Sequence, residues 1–364
     1  MKKTSSQQKA RNVRLGVKRF AKRLRRSGFK YAPDERKTIV FPETFSFSGN
    51  YEETVAALDE LKITGHRFSI KQKHVRLDLR DVKEISIAAI LVLASEIDRI
   101  LTLSAGTDSI RFSAFRLGDW RAAIVARLDD LGFFRLLDVN IGVKWPEEMF
   151  GDGFSVVQMI GCSKFLPERV DRLTSQLLQV ADFFEQKPLV YEAVVEAIHN
   201  TGQHAYPENG EFKYTPLVGS WWVTAGFTPA DHEIRVVAFD QGVGIPNTLP
   251  RWGLFEQVVT MLSDLSSEVS ELLKEDARMI AAALAVSRTS KSKIMGRGQG
   301  LSDVVAPIDE LGVGRVRILS GGGGILYKNE GDIELLSLGK HIGGTLIEWC
   351  IPVGNDQVSE SQNA

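Results

Sequence analysis

Four polar side chains recur every four residues in VYEAVVEAIHNTGQHAYPENG, the stretch at residues 190–210. At about 3.6 residues per turn, this spacing keeps them on one slowly drifting stripe of a helix, and apolar residues cover the flank that a core would bury. The helix is therefore predicted to carry carboxylate, amide and imidazole groups on a face of their own. Ordinary solvated helices can show the same spacing. The stripe consists of Glu192, Glu196, Asn200 and His204, and the apolar flank of Val194, Val195 and Ile198.

Three glycine motifs further along the chain add backbone that a ligand can approach closely. The motif D-x-G-x-G at residues 240–244 ends an apolar strand, HEIRVVAFD, and so places a carboxylate at a strand terminus beside two glycines. The motif G-x-G-x-G at 296–300 precedes the predicted helix LSDVVAPIDEL, where exposed N–H groups and the helix dipole suit a phosphate. The motif G-G-T at 343–345 begins a final apolar strand. Each motif is weak alone.

The order of these four signals resembles the GHKL superfamily of Bergerat-fold ATP-binding domains. That superfamily includes DNA gyrase, heat-shock chaperones, mismatch-repair ATPases, histidine kinases and the anti-sigma-factor serine kinases, to which EAIHNTGQHAY is most similar. The resemblance covers roughly residues 150–354. It implies an α/β sandwich with helices packed on one face of a mixed, mainly antiparallel sheet, and ATP and Mg²⁺ as cofactors.

The resemblance also implies roles for the helical stripe. Asn200 matches the Mg²⁺ ligand of the family, and an amide oxygen is a hard donor that this small cation accepts alongside phosphate oxygens and waters. Glu196 matches the catalytic carboxylate, which orients and deprotonates a water in the ATPases and would do so for a hydroxyl in the kinases. His204 matches a position near the phosphate end of the pocket, or it caps or packs the helix end. Glu192 is expected to be a solvated neighbour.

The glycine motifs acquire roles in the same way. Asp240 would accept a hydrogen bond from the adenine amino group, a contact that selects against guanine, which has a carbonyl at that place. Gly242 and Gly244 would leave room for the ring. Thr345 would hydrogen-bond to Asp240 and, through water, to adenine. The phosphate-facing hinge of a mobile lid would consist of Gly296, Gly298 and Gly300.

The lid itself is expected at residues 246–295, with a helix over 266–288. Lys291 and Lys293 could reach the phosphates when the lid closes, or they belong to a flexible basic loop. Residues 312–353 alternate as a meander of antiparallel strands, in which GGGG at 321–324 is a hairpin turn rather than a second phosphate loop.

The preceding residues, 37–148, are predicted to form a small α/β domain with a largely parallel sheet. Strands are expected over TFSFS, HVRLDL and SIRFSAF, and helices over YEETVAALDELKI, IAAILVLASEIDRIL and WRAAIVARLDDLGFFRLL. The run VRLDLRDVKEISIAAILVLASEIDRI resembles the STAS domain of anti-sigma-factor antagonists. In that family the turn before the helix carries a phosphorylatable serine; here either Ser86 is displaced by one position or the switch is missing. We favour a missing switch and an interaction module.

The composition of the chain limits the classes of protein to which it can belong. The 364 residues are 43% apolar and 25% charged, as in an ordinary globular chain of about two domains. The longest apolar runs fall short of the roughly 20 residues that span a bilayer, and no signal-peptide core is present, which predicts a cytoplasmic protein. Two scattered cysteines indicate neither a disulfide framework nor a zinc site.

Charge is unevenly distributed. Residues 1–30 contain twelve Lys and Arg and no acid, although the net charge of the whole chain is −1. This basic arm, assigned to residues 1–36, could contact nucleic acid, an anionic membrane surface or an acidic partner protein, or it could be a solubilising extension. The ATP-binding domain is assigned to 149–354 and a polar tail to 355–364.

Three functions remain open from the sequence. An ATPase switch would close the lid, alter an interface with a protein partner and reset on hydrolysis. A protein serine kinase of the anti-sigma type is the alternative, although the altered acceptor turn and the long lid argue against it. In a non-catalytic module, ATP would be structural.

Overall fold

The computed structural model describes residues 36–68, 73–104, 110–142, 155–162, 187–228, 233–251, 255–265, 275–290 and 300–352. The chain divides into two compact units. Unit 1 comprises residues 1–159 with 228–230, and unit 2 comprises residues 160–227 with 231–364. Most of the basic arm, the polar tail, Lys291, Lys293, Gly296 and Gly298 lie outside the described residues.

Unit 1 is an α/β unit with parallel strand pairing, as predicted. One sheet has the order β1-β3-β5 and a second pairs β2 with β4, and all of these pairs are parallel. The elements are β1 (Arg36–Val40), β2 (Thr44–Phe45), α1 (Tyr51–Phe68), β3 (Lys73–Asp78), β4 (Glu84–Ile85), α2 (Ile87–Leu103), β5 (Ile110–Ala114), α3 (Ala122–Asp130) and α4 (Phe133–Leu136).

Two features of unit 1 differ from the prediction. The sequence analysis missed β1, because it lies next to the basic arm and lacks a clear apolar alternation. The helix predicted over residues 120–137 is interrupted, since Gly132 adopts a left-handed conformation with φ +81° between α3 and α4. The helix that follows β3 and β4 is α2, and its N-cap is Ser86, whose hydroxyl accepts a hydrogen bond from the Ala89 N–H at 3.1 Å.

Unit 2 is built on a sheet of mainly antiparallel strands with helices between them. The sheet order is β11-β10-β9-β12-β8-β7-β6, and the boundary between the units falls within β6. The elements are β6 (Ser155–Cys162), α5 (Lys187–Asn200), β7 (Trp221–Thr228), β8 (Glu233–Asp240), α6 (Ile245–Thr248), α7 (Phe255–Leu265), α8 (Asp276–Ser290), α9 (Gly300–Leu311), β9 (Arg315–Ser320), β10 (Gly323–Asn329), β11 (Asp332–Ser337) and β12 (Thr345–Pro352).

The last strand changes the predicted meander. The strands β9, β10 and β11 do follow one another across the sheet, but β12 returns to lie antiparallel between β8 and β9. Alternate residues of β12 point to the helices, because the Trp349 indole N–H donates to the Val304 carbonyl of α9 at 2.8 Å. Thr345, at the start of β12, therefore faces the helices as well.

The helix α8 differs from the predicted lid helix. It begins at Asp276 rather than near residue 266, and it packs against β10 and β11 with a buried apolar side. Its first residue, Asp276, accepts a hydrogen bond from the Gly322 N–H at 2.6 Å. A side chain at Gly323 would collide with the backbone of α8, so this glycine allows a close approach in addition to ending the turn.

Side-chain contacts also hold the C-terminal end of α8 in place. The Arg288 guanidinium binds Asp309 of α9 and donates to the Tyr327 hydroxyl of β10, which itself donates to Asp309. Much of the segment predicted as a lid is thus part of the packed body of unit 2. In the described residues, no helix is both long enough and apolar enough to cross a membrane.

Candidate functional site

The helix α5 presents the predicted chemical stripe at its C-terminal end. Of the predicted apolar flank, Val194 and Ile198 are buried and Val195 is half-buried, whereas Glu192 is exposed, and Glu196 and Asn200 are half-buried. This distribution matches the amphipathic spacing, because the residues three and four positions apart share a face. The two residues with expected chemical roles lie at the edge of the core and not in free solvent.

His204 follows Asn200 along a π-helical segment, Thr201–Ala205, whose hydrogen bonds skip to the fifth residue. His204 lies on the surface. Partial desolvation of its ring and the neighbouring His199 lower its pKa. Thr201 lies four residues after Ala197, on the buried face of α5, and is itself buried; its hydroxyl donates to the Ala197 carbonyl at 3.0 Å.

The carboxylate of Asp240 is enclosed at the end of β8. One oxygen accepts a hydrogen bond from the Gly242 N–H at 2.7 Å, and the other faces the Thr201 hydroxyl at 3.4 Å. Burial raises the pKa of Asp240 to about 6, although these two donors and the Thr345 backbone N–H pull the pKa down. An ionised carboxylate in this position benefits from any further donor.

The glycine turn after Asp240 is tightly packed. A Cβ at Gly242 would lie 2.5 Å from the Ala205 Cβ and carbonyl oxygen, and Gly244 has a φ of +86°. The Val243 N–H donates to the Ala205 carbonyl at 2.9 Å. The Tyr206 hydroxyl accepts from the Gln241 N–H at 3.0 Å, which ties the π-helical segment to the turn from a second side. Glycine is required at both positions of the motif by packing or conformation.

The register of the sheet brings Thr345 to Asp240. These two residues are direct partners across β12 and β8, and Ser320 of β9 is the partner of Thr345 on its other side. The Ser320 hydroxyl lies 3.0 Å from the Thr345 hydroxyl and accepts from the Ile245 N–H at 2.8 Å. Ser320 thereby joins the G-G-T strand to the backbone directly after Gly244.

Glu196 lies in an environment that favours its protonated form. Burial and the nearby Asp303 raise the pKa of Glu196, while His199, with Nδ1 at 4.0 Å from the carboxylate, lowers it. Burial is the largest of these effects. Asp303 belongs to the first turn of α9, and this helix packs against α5. A raised pKa suits a carboxyl group that accepts a proton near neutral pH.

Asn200 lies directly against the first residue of α9. A Cβ at Gly300 would be only 2.6 Å from both terminal atoms of the Asn200 carboxamide, so the glycine leaves the room that this amide occupies. The start of α9 is held by α8, because the Ser302 N–H donates to the Ser287 hydroxyl at 3.2 Å. The amide of Asn200 is thus positioned at a helix N-terminus.

The structure therefore gathers most of the predicted residues that it describes. The residues Asn200, Asp240, Gly242, Gly244, Gly300 and Thr345 are linked by direct contacts or through Thr201 and Ser320. Glu196 lies one turn from Asn200, and His204 is exposed. Lys293, Gly296 and Gly298 lie outside the described residues. Within the described ranges, no group of three or more His, Cys, Asp or Glu could hold a metal ion.

Four residues of the site were not predicted from the sequence. Thr201 lies four residues after Ala197 and seven after Val194, both buried, so the helical spacing could have indicated that it faces the core. Tyr206 and Ser320 are defined by a turn and by the strand register, neither of which is visible in the sequence. Asp303 could have been suspected, since it lies in the first turn of the helix behind G-x-G-x-G.

Comparisons with protein-family models, with curated proteins and with solved structures find no match to this chain.

Proposed function

We propose that unit 2 is a magnesium-dependent ATP-binding domain of the GHKL type, which hydrolyses ATP as a conformational switch that controls a protein partner. The observation that carries this proposal is the enclosed Asp240 carboxylate, which is joined through Thr201 to the residue Asn200. A purine-reading acid and a metal-holding amide thus belong to one continuous site.

The adenine end is supported by the donors and acceptors around Asp240. Its carboxylate has about four acceptor positions, more than the three donors from Gly242, Thr201 and the Thr345 backbone fill, and an adenine amino group offers a further donor. Thr345 and Ser320 form a hydroxyl pair beside it that can hold a bridging water. Guanine presents a carbonyl oxygen toward the same carboxylate, which is unfavourable.

The phosphate end is supported by the close approach of Asn200 and Gly300. A magnesium ion would neutralise phosphate charge at this position, with phosphate oxygens and waters completing its coordination. Asn200 would hold it through the amide oxygen, and Gly300 keeps the necessary space clear. Glu196 would orient an attacking water and accept its proton, which its raised pKa favours.

The two-unit architecture fits an ATP-driven interaction switch. Unit 1 has the parallel sheet and the capped helix after a strand ending in Asp-Leu that resemble a STAS domain, and we assign it the role of partner binding. Unit 2 has the helices and the mainly antiparallel sheet that a Bergerat fold requires. Of the lid expected at 246–295, residues 252–254, 266–274 and 291–295 lie outside the described residues.

The fate of the γ-phosphate tests this function. The full-length protein, incubated with Mg²⁺ and γ-labelled ATP, is expected to release labelled free phosphate. Glu196→Gln should keep nucleotide binding within about twofold and lose about 100-fold or more of the turnover, because it removes a general base but keeps the shape. Turnover is measured as phosphate release and binding by calorimetry.

The control is Glu192→Gln, which removes an exposed carboxylate one turn away on the same helix and should leave turnover unchanged. If the label is transferred to protein and no free phosphate appears, the protein is a serine kinase and not an ATPase switch. Binding without either product would leave a nucleotide-binding module, and full turnover in Glu196→Gln would remove Glu196 from the mechanism.

A further inference from the structure

One face of the three-stranded sheet in unit 1 is rich in arginine. Residues in register on neighbouring parallel strands point to the same side, and side chains alternate along each strand. Val75 and Leu77 of β3 are fully buried on one side, so the opposite side carries the intervening residues. In register, this face consists of the row Arg36, His74 and Arg111 and the row Thr38, Arg76 and Ser113.

Three guanidinium groups converge on Phe115 at the end of this face. Arg76 and Arg80 each lie 5.2 Å from the centre of the Phe115 ring, and Arg116 lies 5.4 Å from it. Arg80 is engaged by Asp78 through two hydrogen bonds of 2.8 and 2.7 Å. Within the part of the chain that the structure describes, Arg76 and Arg116 have no carboxylate within salt-bridge distance.

The charge around this cluster is unevenly compensated. At one end of the face, Asp78, Asp81 and Asp119 all act on Arg80, and Asp78 also interacts with Arg116. At the other end, burial together with Arg76, Arg36 and Arg111 lowers the pKa of His74 to about 4. Burial and Arg36 also lower the pKa of Arg76. The potential is therefore positive where Arg76 lies, because the cations there repel further positive charge.

We propose that this arginine face of unit 1 binds the phosphate backbone of nucleic acid. The exposed cations of the face are all arginines, whose planar guanidinium groups match phosphate oxygens in pairs. Stacking on Phe115 restricts the rotamers of Arg76 and Arg116, so less entropy is lost when a phosphate binds. The chain reaches β1 from the twelve cations of residues 1–30, which extend the positive charge in sequence.

Anisotropy of a fluorescein-labelled 20-nucleotide oligo-U tests this surface in the full-length protein. The double variant Arg76→Ala with Arg116→Asn should bind about tenfold more weakly at roughly 0.1 M salt. Its plot of log affinity against log salt should be shallower by about 1.4, because two phosphate contacts are lost from a single strand. Asn is chosen at position 116 since the backbone there has a φ of 52°, a conformation that Asn tolerates.

The matched control is Arg278→Ala with Lys328→Ala, which removes two cations from exposed ion pairs of unit 2. It should bind oligo-U as the unchanged protein does. Equal affinity of the two double variants would overturn the proposal, as would the absence of binding at low salt. Displacement of oligo-U by polyglutamate at equal charge concentration would also overturn it, and would indicate an acidic protein as the occupant. Circular dichroism before and after substitution verifies that both variants are folded.

Discussion

Asp240 is held in surroundings that disfavour its own charge. Burial is the largest influence on its pKa, and the hydrogen bonds from Gly242, Thr201 and Thr345 only partly offset that influence. Burying an ionised carboxylate costs free energy. Binding sites tolerate this cost, because a ligand that donates a hydrogen bond to the carboxylate offsets it. In the proposed function, Asp240 would therefore link the pH of the solution to the affinity for adenine.

Adenine-nucleotide affinity is expected to fall in mild acid. The pKa of Asp240 in the free protein is about 6, and the bound form needs the carboxylate, so affinity should drop about tenfold for each pH unit below 6. The same shift makes the ligand-free protein lose stability as the pH rises from the ordinary value of 3.8 to about 6, since the folded state holds the proton more tightly. Calorimetric titrations with ADP at pH 5 and pH 7.5 measure the first effect.

Asp240→Asn is the control for this pH dependence. The variant cannot ionise at this position, so its weaker affinity should follow only the titration of ADP itself. If the unchanged protein and Asp240→Asn lose affinity in parallel between pH 7.5 and pH 5, Asp240 does not contact the base.

At the scale of elements, the site depends on how α5 ends and α9 begins. Asn200 is the last residue of α5, and Gly300 is the first of α9, so both belong to helix termini whose positions are set by packing. The helix α8 supports this junction from behind through Ser287. Small displacements at this junction would move the amide that is proposed to hold the metal.

Gly300→Ala should impair magnesium-dependent nucleotide binding. The new methyl group would lie 2.6 Å from the Asn200 amide and must displace it, so we expect a loss of about tenfold or more in affinity for Mg²⁺ with ATP. Gly202→Ala is the matched control, because a Cβ there meets nothing within 4 Å. Calorimetry in the presence and absence of Mg²⁺ measures both variants. A loss of equal size without Mg²⁺ would show that the substitution acts on the fold and not through Asn200.

The elements also show what can be predicted from sequence and what cannot. The helix α5 was predicted because the apolar residues within 190–198 recur with the period of a helix, which is a local feature of the sequence. The strand β8 was predicted for the same reason, since an uninterrupted apolar run ends at Asp240. The π-helical segment after Asn200 was not, because it depends on Ala205 and Tyr206 packing under the glycine turn, a contact between residues far apart in sequence.

Long-range order limited the prediction for the whole chain in the same way. The position of β12 between β8 and β9 depends on which strand edges remain open, and this cannot be read from alternation within 312–353. The packing of α8 on β10 depends on the glycines at 321–324, which form a turn and also leave room for the helix backbone. The sequence predicted only the turn. The predicted ATP and magnesium chemistry remains a prediction that the gathered residues support.

Nucleotide binding should raise the stability of the whole protein and report the base that it carries. A non-hydrolysable ATP analogue with Mg²⁺ at about 100 times its Kd should add about 2.7 kcal/mol to the free energy of unfolding. For a unit of about 200 residues this corresponds to a rise of roughly 5–10 °C in Tm. Tryptophan fluorescence can follow the transition, since Trp221, Trp222 and Trp349 are buried in unit 2.

The matching guanine analogue should give little rise in Tm, because its carbonyl would face the Asp240 carboxylate. The variant Asp240→Asn should lose the preference for adenine. Equal rises with both analogues in the unchanged protein would mean that Asp240 does not select the base, even if the nucleotide binds.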